Sequence, residues 1–284
     1  IDIALWRAKY NNCKIVLGSA TPSIESYTRA NMNVYELLTM KKRVNNNLPK
    51  VTLVDMKSEY KKGNKIISSL LDLKIKEALK KDEQVILFLN RRGYTTITTC
   101  HECGYTLKCP NCDIPLTYHK TSNTNRCHYC GYAVGNVLKC PSCNSKDINQ
   151  FGLGTEKLEQ EIKEKYPTSK IIRMDIDTTS KKGSHEKIIN DFGLKKYNIL
   201  IGTQMISKGL DFPSVTVVGV INGDATLNIP DFRSSERTYQ LLNQVSGRAG
   251  RSQLKGEVII QGFNIDHYSV VTASKHDYIS FYNE

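Results

Sequence analysis

Seven short runs of the chain are apolar or β-branched almost without a break: KIVLGS (14–19), VTLVD (51–55), QVILFL (84–89), KIIRMD (170–175), NILIGT (198–203), VTVVGVI (215–221) and EVIIQG (257–262). A strand with one wet face alternates apolar and polar positions, so runs without alternation predict strands buried on both faces. Between them the spacing turns helical. Ser68 or Ser69 can cap SSLLDLKIKEALKK, Thr155 opens a helix that must stop before Pro167, and residues 231–250 carry another. LGSATPSIES (17–26) predicts strand, small-residue turn and helix, and the opening IDIALWRAKYNNCK reads as an amphipathic helix. Strands alternating with helices predict an α/β fold with a parallel sheet flanked by helices.

One block breaks this rhythm. Residues 100–145 hold eight of the nine cysteines among Gly, Pro and Asn, with neither helical nor strand period. They come as CHEC (Cys100, Cys103), CPNC (Cys109, Cys112), CHYC (Cys127, Cys130) and CPSC (Cys140, Cys143), separated by 5, 14 and 9 residues. A Cys-x-x-Cys turn aims two sulfurs at one ion and four thiolates bind Zn²⁺ tetrahedrally, so eight imply two zinc ions. Fourteen intervening residues suffice for a ribbon hairpin, which predicts that Cys109, Cys112, Cys127 and Cys130 share one ion. The outer four, Cys100, Cys103, Cys140 and Cys143, then close a second site around it. His101, His119 and His128 could substitute as ligands, but His101 and His128 lie inside pairs and are expected to point away from metal. Such closed sites hold a fold and leave no open position for catalysis. Cys13 stands alone and is expected to be a small buried residue.

At 284 residues the chain is long enough for about two domains. Apolar content of 39% with 24% charged residues excludes a disordered chain, and no run of 18 apolar residues is present to span a bilayer. No secretory leader is visible, which argues for metal rather than disulfides. The formal charge of +12 favours nucleic acid as partner through phosphate neutralisation. Two Zn(Cys)₄ centres would lower it only to about +8.

Two further stretches carry chemistry. In GTQMISKGLDF (202–212), at the expected carboxyl end of a parallel strand, Thr203 can bond a phosphate and Lys208 supplies charge. Gly209 lets backbone approach closely, and Asp211 can accept from a ribose hydroxyl. In QVSGRAGR (244–251), Arg248 and Arg251 are spaced to share one helical face among small residues. Two adjacent guanidiniums call for an anion between them, such as a triphosphate whose transferring γ-phosphate an arginine finger stabilises.

The order GSAT, then GTxxxxKGxDF, then QxxGRxGR resembles superfamily 2 helicases. Together with EQVILFLNRRGY (83–94), the eight-cysteine block, GLGTEKLEQEI (152–162), RMDIDTT (173–179) and DATLNIPDFRSSERTYQ (224–240), it resembles the bacterial primosomal replication-restart helicases of the PriA family over essentially the whole chain. The resemblance implies RecA-like domains that couple ATP and Mg²⁺ to 3′-to-5′ DNA unwinding at abandoned replication forks and to loading of the replicative helicase. It implies arginine-finger roles for Arg248 and Arg251, a γ-phosphate sensor role for Gln244, and nucleotide contacts for Lys208, Gly209 and Asp211. Thr203, Asn90, Arg91 and Arg92 would meet DNA, and Ser19, Ala20 and Thr21 would couple nucleotide state to DNA. The implied organisation is a remnant of the first RecA-like domain over 1–45, the second over 46–99 and 146–270, the two-zinc Cys-rich insertion over 100–145, and the start of a C-terminal region over 271–284. Fork and single-stranded DNA, primosome proteins and single-stranded DNA-binding protein are the implied partners of a cytoplasmic, nucleoid-associated monomer.

No GxxxxGK[ST] loop or Walker B box occurs in the sequence, and the acidic pair Asp82–Glu83 precedes its strand instead of following one. The expectation is a piece that begins inside the first RecA-like domain and does not turn over ATP alone. The competing readings are a zinc-dependent nucleic-acid-binding module without a motor and a superfamily 2 helicase acting on RNA.

Overall fold

The computed structural model describes residues 1–40, 48–90, 97–149, 154–207, 212–229, 231–250 and 255–284. The chain divides into two compact units, residues 1–41 and 42–284. The first holds helices α1 (Asp2–Tyr10) and α2 (Ile24–Asn31). Ser23 caps α2 by accepting from the Ser26 N–H. The expected strand KIVLGS does not form a strand. No strand lies beside it among the described residues to take up its N–H and C=O groups, and Val16 is 87% exposed. Of α1 only Ala8 is buried. Cys13 is exposed, contrary to expectation.

The second unit runs β1 (Lys50–Asp55), α3 (Met56–Lys61), α4 (Ser69–Lys80) and β2 (Gln84–Leu89). It then passes through five short strands: β3 (Thr99–Cys100), β4 (Thr117–His119), β5 (Thr124–Arg126), β6 (Ala133–Gly135) and β7 (Ile148–Asn149). It returns through α5 (Thr155–Lys165), β8 (Ile171–Met174), α6 (Ser184–Gly193), β9 (Ile199–Gly202), β10 (Val215–Ile221), α7 (Ser234–Ser246), β11 (Glu257–Gly262), α8 (Tyr268–Ser274) and α9 (Tyr278–Asn283). The main sheet has six strands in the order β1-β11-β10-β2-β9-β8, every neighbouring pair parallel. The α/β expectation holds: six of the seven apolar runs are these strands.

Unbroken apolar character now has its physical reason. Successive side chains of a strand point to opposite faces. In β2, Ile86 and Phe88 join one core with Leu200, Val218, Val258, Phe192, Tyr239 and Leu242. Val85, Leu87 and Leu89 join the other with Ile201, Ile259, Leu71, Ile75, Leu158 and Ile162. Helices α4 and α5 cover that second face. Ser68 caps α4, its side chain accepting from the Leu71 N–H at 3.3 Å. The helix expected over 231–250 is shorter, ending at Ser246 with Gly247 as its cap. Helix α6 was not legible, because its N-cap is Gly183 in the left-handed region and no side chain caps it. No helix among the described residues is long and apolar enough to cross a membrane.

Gly219 sets how closely α4 approaches the sheet. A Cβ there would stand 2.8 Å from both Leu71 methyl carbons and 2.9 Å from Leu87 Cδ2. Gly219→Ala is therefore expected to cost about 1–3 kcal/mol by overpacking. In a urea-unfolding double-mutant cycle with Leu71→Ala, the double variant should lose less than the sum of the single losses, because the truncated leucine makes room.

Candidate metal centres and the two edges of the sheet

The four cysteine pairs fold as four copies of one turn. In each, the first cysteine N–H donates to the carbonyl five residues ahead: Cys100 to Tyr105, Cys109 to Ile114, Cys127 to Tyr132 and Cys140 to Ser145, all at 2.8 Å. In each, the residue after the second cysteine turns back and donates its N–H to the first cysteine's carbonyl: Gly104, Asp113 and Asn144 at 2.9 Å, Gly131 at 3.1 Å. Those four residues have φ of +76°, +53°, +58° and +76° in the same order. Only Gly, Asn and Asp enter this left-handed region cheaply. The signal that sharpens a bare C-x-x-C is therefore the next residue, G, D, G and N in this sequence.

These turns bring the sulfurs together. The thiols of Cys100, Cys103, Cys140 and Cys143 all lie within 4.8 Å of one another, and so do those of Cys109, Cys112, Cys127 and Cys130. The partition is the nested one expected from the spacing. The Cys100–Cys143, Cys103–Cys140 and Cys109–Cys130 sulfur separations are 3.7, 3.6 and 3.5 Å. Four sulfurs placed tetrahedrally about 2.3 Å from Zn²⁺ lie about 3.8 Å apart, whereas a disulfide needs about 2.05 Å. The donor set thus fits two tetrahedral zinc ions. Charge points the same way. Hydrogen bonding to Cys130 and neighbouring thiols pushes Cys112 up to about 12, and burial pushes Cys100 up to about 12. The Tyr132 N–H holds Cys130 down to about 6. Four clustered thiols cannot all ionise without a cation among them.

Around the inner cluster, Leu107 and Leu116 pack with Tyr105, Ile114, Tyr132 and Val134. Ile148 packs on the outer one, and Tyr105 and Val137 touch both. Strands β4, β5 and β6 form the antiparallel ribbon of the inner site, and β3 pairs with β7 to close the base of the outer one. His101, within the first pair, points away from the sulfurs. Its ring stacks on Phe263 at 5.8 Å and lies 5.4 Å from Tyr60, with Nδ1 3.6 Å from Asp147 Oδ1. The Tyr60 hydroxyl donates to Asp147. His101 therefore fastens the cysteine region to the sheet unit.

The remaining site residues separate to opposite ends of the sheet. Thr203 follows β9 at the carboxyl edge, half-buried, its N–H 3.4 Å from the Met174 carbonyl. Asn90 follows β2 at the same edge but is buried, 2% exposed. Its amide donates to the Gly223 carbonyl at 2.9 Å and accepts from the Thr226 hydroxyl at 3.0 Å. Expected at DNA, its side chain instead pins the 223–226 turn. Beside it lies a residue that sequence reasoning missed: Asp224, whose Oδ2 accepts from the Asn264 N–H at 2.7 Å and the Phe263 N–H at 3.0 Å, and whose pKa burial raises.

Arg248 lies at the other end. Gly250 N is 3.5 Å from the carbonyl of Val215, the first residue of β10. A Cβ on Gly256, just before β11, would meet Gly250 N at 2.3 Å. Arg248 is 8% exposed and follows the end of α7, so it does not project from a helical face as expected. Gln244, on the last turn of α7, is exposed. Ser19 and Ala20 are exposed and Thr21 half-buried, and the Thr21 N–H donates to Ser19 Oγ at 3.1 Å. Arg91, Arg92, Lys208, Gly209, Asp211 and Arg251 lie outside the described residues.

The metal reading predicts two zinc ions per chain by elemental analysis. Cys112→Ser should bring this to one, with the outer site still loaded. Chelation should melt residues 100–149, seen as loss of amide protection there while β2 and β10 stay protected, because binding energy is folding energy in such sites.

Residues 109–134 match the PriA DNA helicase Cys-rich region (CRR) domain, and residues 142–253 match the helicase conserved C-terminal domain. The chain is 52% identical over 283 residues to the replication restart protein PriA of Bacillus subtilis (strain 168), covering 99% of this chain and 35% of that protein. Against PriA of Chlamydia muridarum it is 45% identical over 288 residues, covering 100% of this chain and 38% of the relative. The chain therefore spans well under half the length of these relatives. Among solved structures, Saccharomyces cerevisiae Dbp5 bound to RNA and ADP BeF3 aligns with 98% of this chain and 53% of its own at 13% identity and a TM-score of 0.47. Identity sustained from end to end, with the cysteine-region match inside it, places this chain in the PriA family of replication restart proteins.

Proposed function

We propose that this chain is part of an ATP-dependent DNA helicase that unwinds 3′-to-5′ at abandoned replication forks and prepares them for reloading of the replicative helicase. The observation that carries the proposal is the joint presence, in one unit, of a doubly buried parallel sheet and two four-thiol centres inserted after its central strand. In this reading residues 46–99 and 146–270 are the second RecA-like domain, 100–145 its zinc insertion, 1–45 a portion of the first, and 271–284 the start of a C-terminal region. The zinc ions hold the insertion in shape and take no part in hydrolysis.

The amino edge of the sheet faces nucleotide. Arg248 and Arg251 stabilise charge developing on the transferring γ-phosphoryl, Gln244 senses that phosphate, and Lys208, Gly209 and Asp211 contact the nucleotide held with Mg²⁺ by another domain. Arg248 reaches the phosphate only if the turn between Gly247 and Gly250 shifts, since its side chain is buried in this conformation. The carboxyl edge faces DNA: Thr203 contacts the strand with Arg91 and Arg92, while Asn90 supports the turn beside them. Ser19, Ala20 and Thr21 relay nucleotide state to that contact. Fork DNA, primosome proteins and single-stranded DNA-binding protein are the partners, in the cytoplasm at the nucleoid.

In the longer protein that contains this chain, Arg251→Ala should lower fork-stimulated ATP turnover by about 10³-fold with little change in nucleotide affinity, the range for loss of an arginine finger. Arg248→Ala should lower turnover comparably and also lower thermal stability, because it empties a buried position. The 284-residue chain alone should show no DNA-stimulated hydrolysis. Turnover that survives both substitutions would defeat the proposal.

A further inference from the structure

Phe232 is 91% exposed, and between Leu194 and Tyr268 no other described large apolar side chain is exposed. It sits between the 225–228 turn that Asn90 pins and the first residue of α7, which places it at the carboxyl edge of the sheet together with Thr203. The backbone around it is locked. Asp231 Oδ1 accepts from the Arg233 N–H at 2.9 Å, the Asp231 carbonyl accepts from the Ser234 N–H at 2.9 Å, and the Asp231 N–H donates to the Ile229 carbonyl at 2.8 Å. Arg237 pairs with the Asp231 carboxylate. The Arg233 guanidinium lies over the Phe232 ring, 5.2 Å from its centroid.

A ring displayed this way costs solvation and contributes nothing to the core. A protein-docking site would spread exposed apolar area over neighbouring residues, and none accompanies this ring in its stretch of chain. A rigidly held aromatic with cationic neighbours and no exposed apolar neighbour in its stretch of chain is instead matched to the flat face of one unpaired base. We propose that Phe232 is a base-stacking contact for single-stranded nucleic acid, steadied by Arg233 and by the Asp231–Arg237 pair. This deepens the functional reading above and rests on its assignment of the carboxyl edge to the DNA strand.

The test is fluorescence anisotropy of a labelled oligothymidylate with the zinc-loaded 284-residue chain, across a salt series. Phe232→Ala should weaken binding by about 5- to 140-fold, the range for loss of one base–aromatic stack, and leave the salt slope unchanged because no phosphate contact is removed. Phe232→Trp should bind at least as tightly as the parent. Both variants should melt with the parent, since the side chain is outside the core. If Phe232→Ala binds as the parent does, or if Trp weakens binding as much as Ala, the stacking role is overturned while the helicase reading stands. If the parent itself does not bind the oligonucleotide, the assignment of the carboxyl edge falls, and the stacking role with it.

Discussion

A parallel sheet buried on both faces leaves only the ends of its strands in water, and this constraint arranges everything else in the larger unit. Val85, Leu87 and Leu89 face one core and Ile86 and Phe88 the other, so β2 has no side chain left for chemistry along its length. Strand positions open to solvent are therefore left to the two rims. At the carboxyl rim stand Thr203, the Asn90-pinned turn, Asp224 and Phe232; at the amino rim stand the Arg248–Gly250 turn and Gly256. Burying so much apolar surface on each face also gives the rims a rigid base, which preorganised contacts require.

The cysteine region solves a different problem. Its buried apolar side chains are few, and the thiols themselves occupy the centres of its two small clusters. A segment of this size cannot offset its chain entropy by apolar burial alone, so metal must supply much of the stabilisation. The two centres are not independent, because Tyr105 and Val137 pack against both. Through His101, wedged between Tyr60 and Phe263, the outer centre is also fixed to the sheet unit, close to the backbone N–H that Phe263 gives to Asp224. The insertion is thereby held against the carboxyl rim.

The sheet was legible because burial on both faces leaves an unambiguous mark, an apolar run without alternation. The same mark misled at KIVLGS, since apolar character records a tendency to be buried and says nothing of whether a partner strand is present. The nested thiol pairing was legible from spacing, because turn geometry fixes which sulfurs can converge. The glycine or Asx residue after each second cysteine was an available and unused signal. Asn90 and Arg248 illustrate what spacing leaves out. Each belongs to a motif, yet Asn90 spends both ends of its amide on the 223–226 turn, and Arg248 lies beyond the helix that would have aimed it outward. Burial is decided by neighbours distant in sequence, as Gly223 and Thr226 are for Asn90.

The proposed reading puts nucleotide and DNA contacts at opposite rims and raises the question of how one end informs the other. Helix α7 spans the gap: 13 residues, about 20 Å long, with Phe232 just before its first turn and Arg248 just after its last. Thr238, Tyr239, Leu242, Val245 and Ser246 are buried along it, and Tyr239 stacks on Phe281 at 4.3 Å. A helix so held moves as one body rather than bending. In the proposed reading, a shift that brings Arg248 out toward phosphate therefore carries the Phe232 end with it, because close-packed interiors pass displacement along rather than absorb it. In that same reading the covered face of the sheet, through α7 packed on it, is the mechanical link between the two rims.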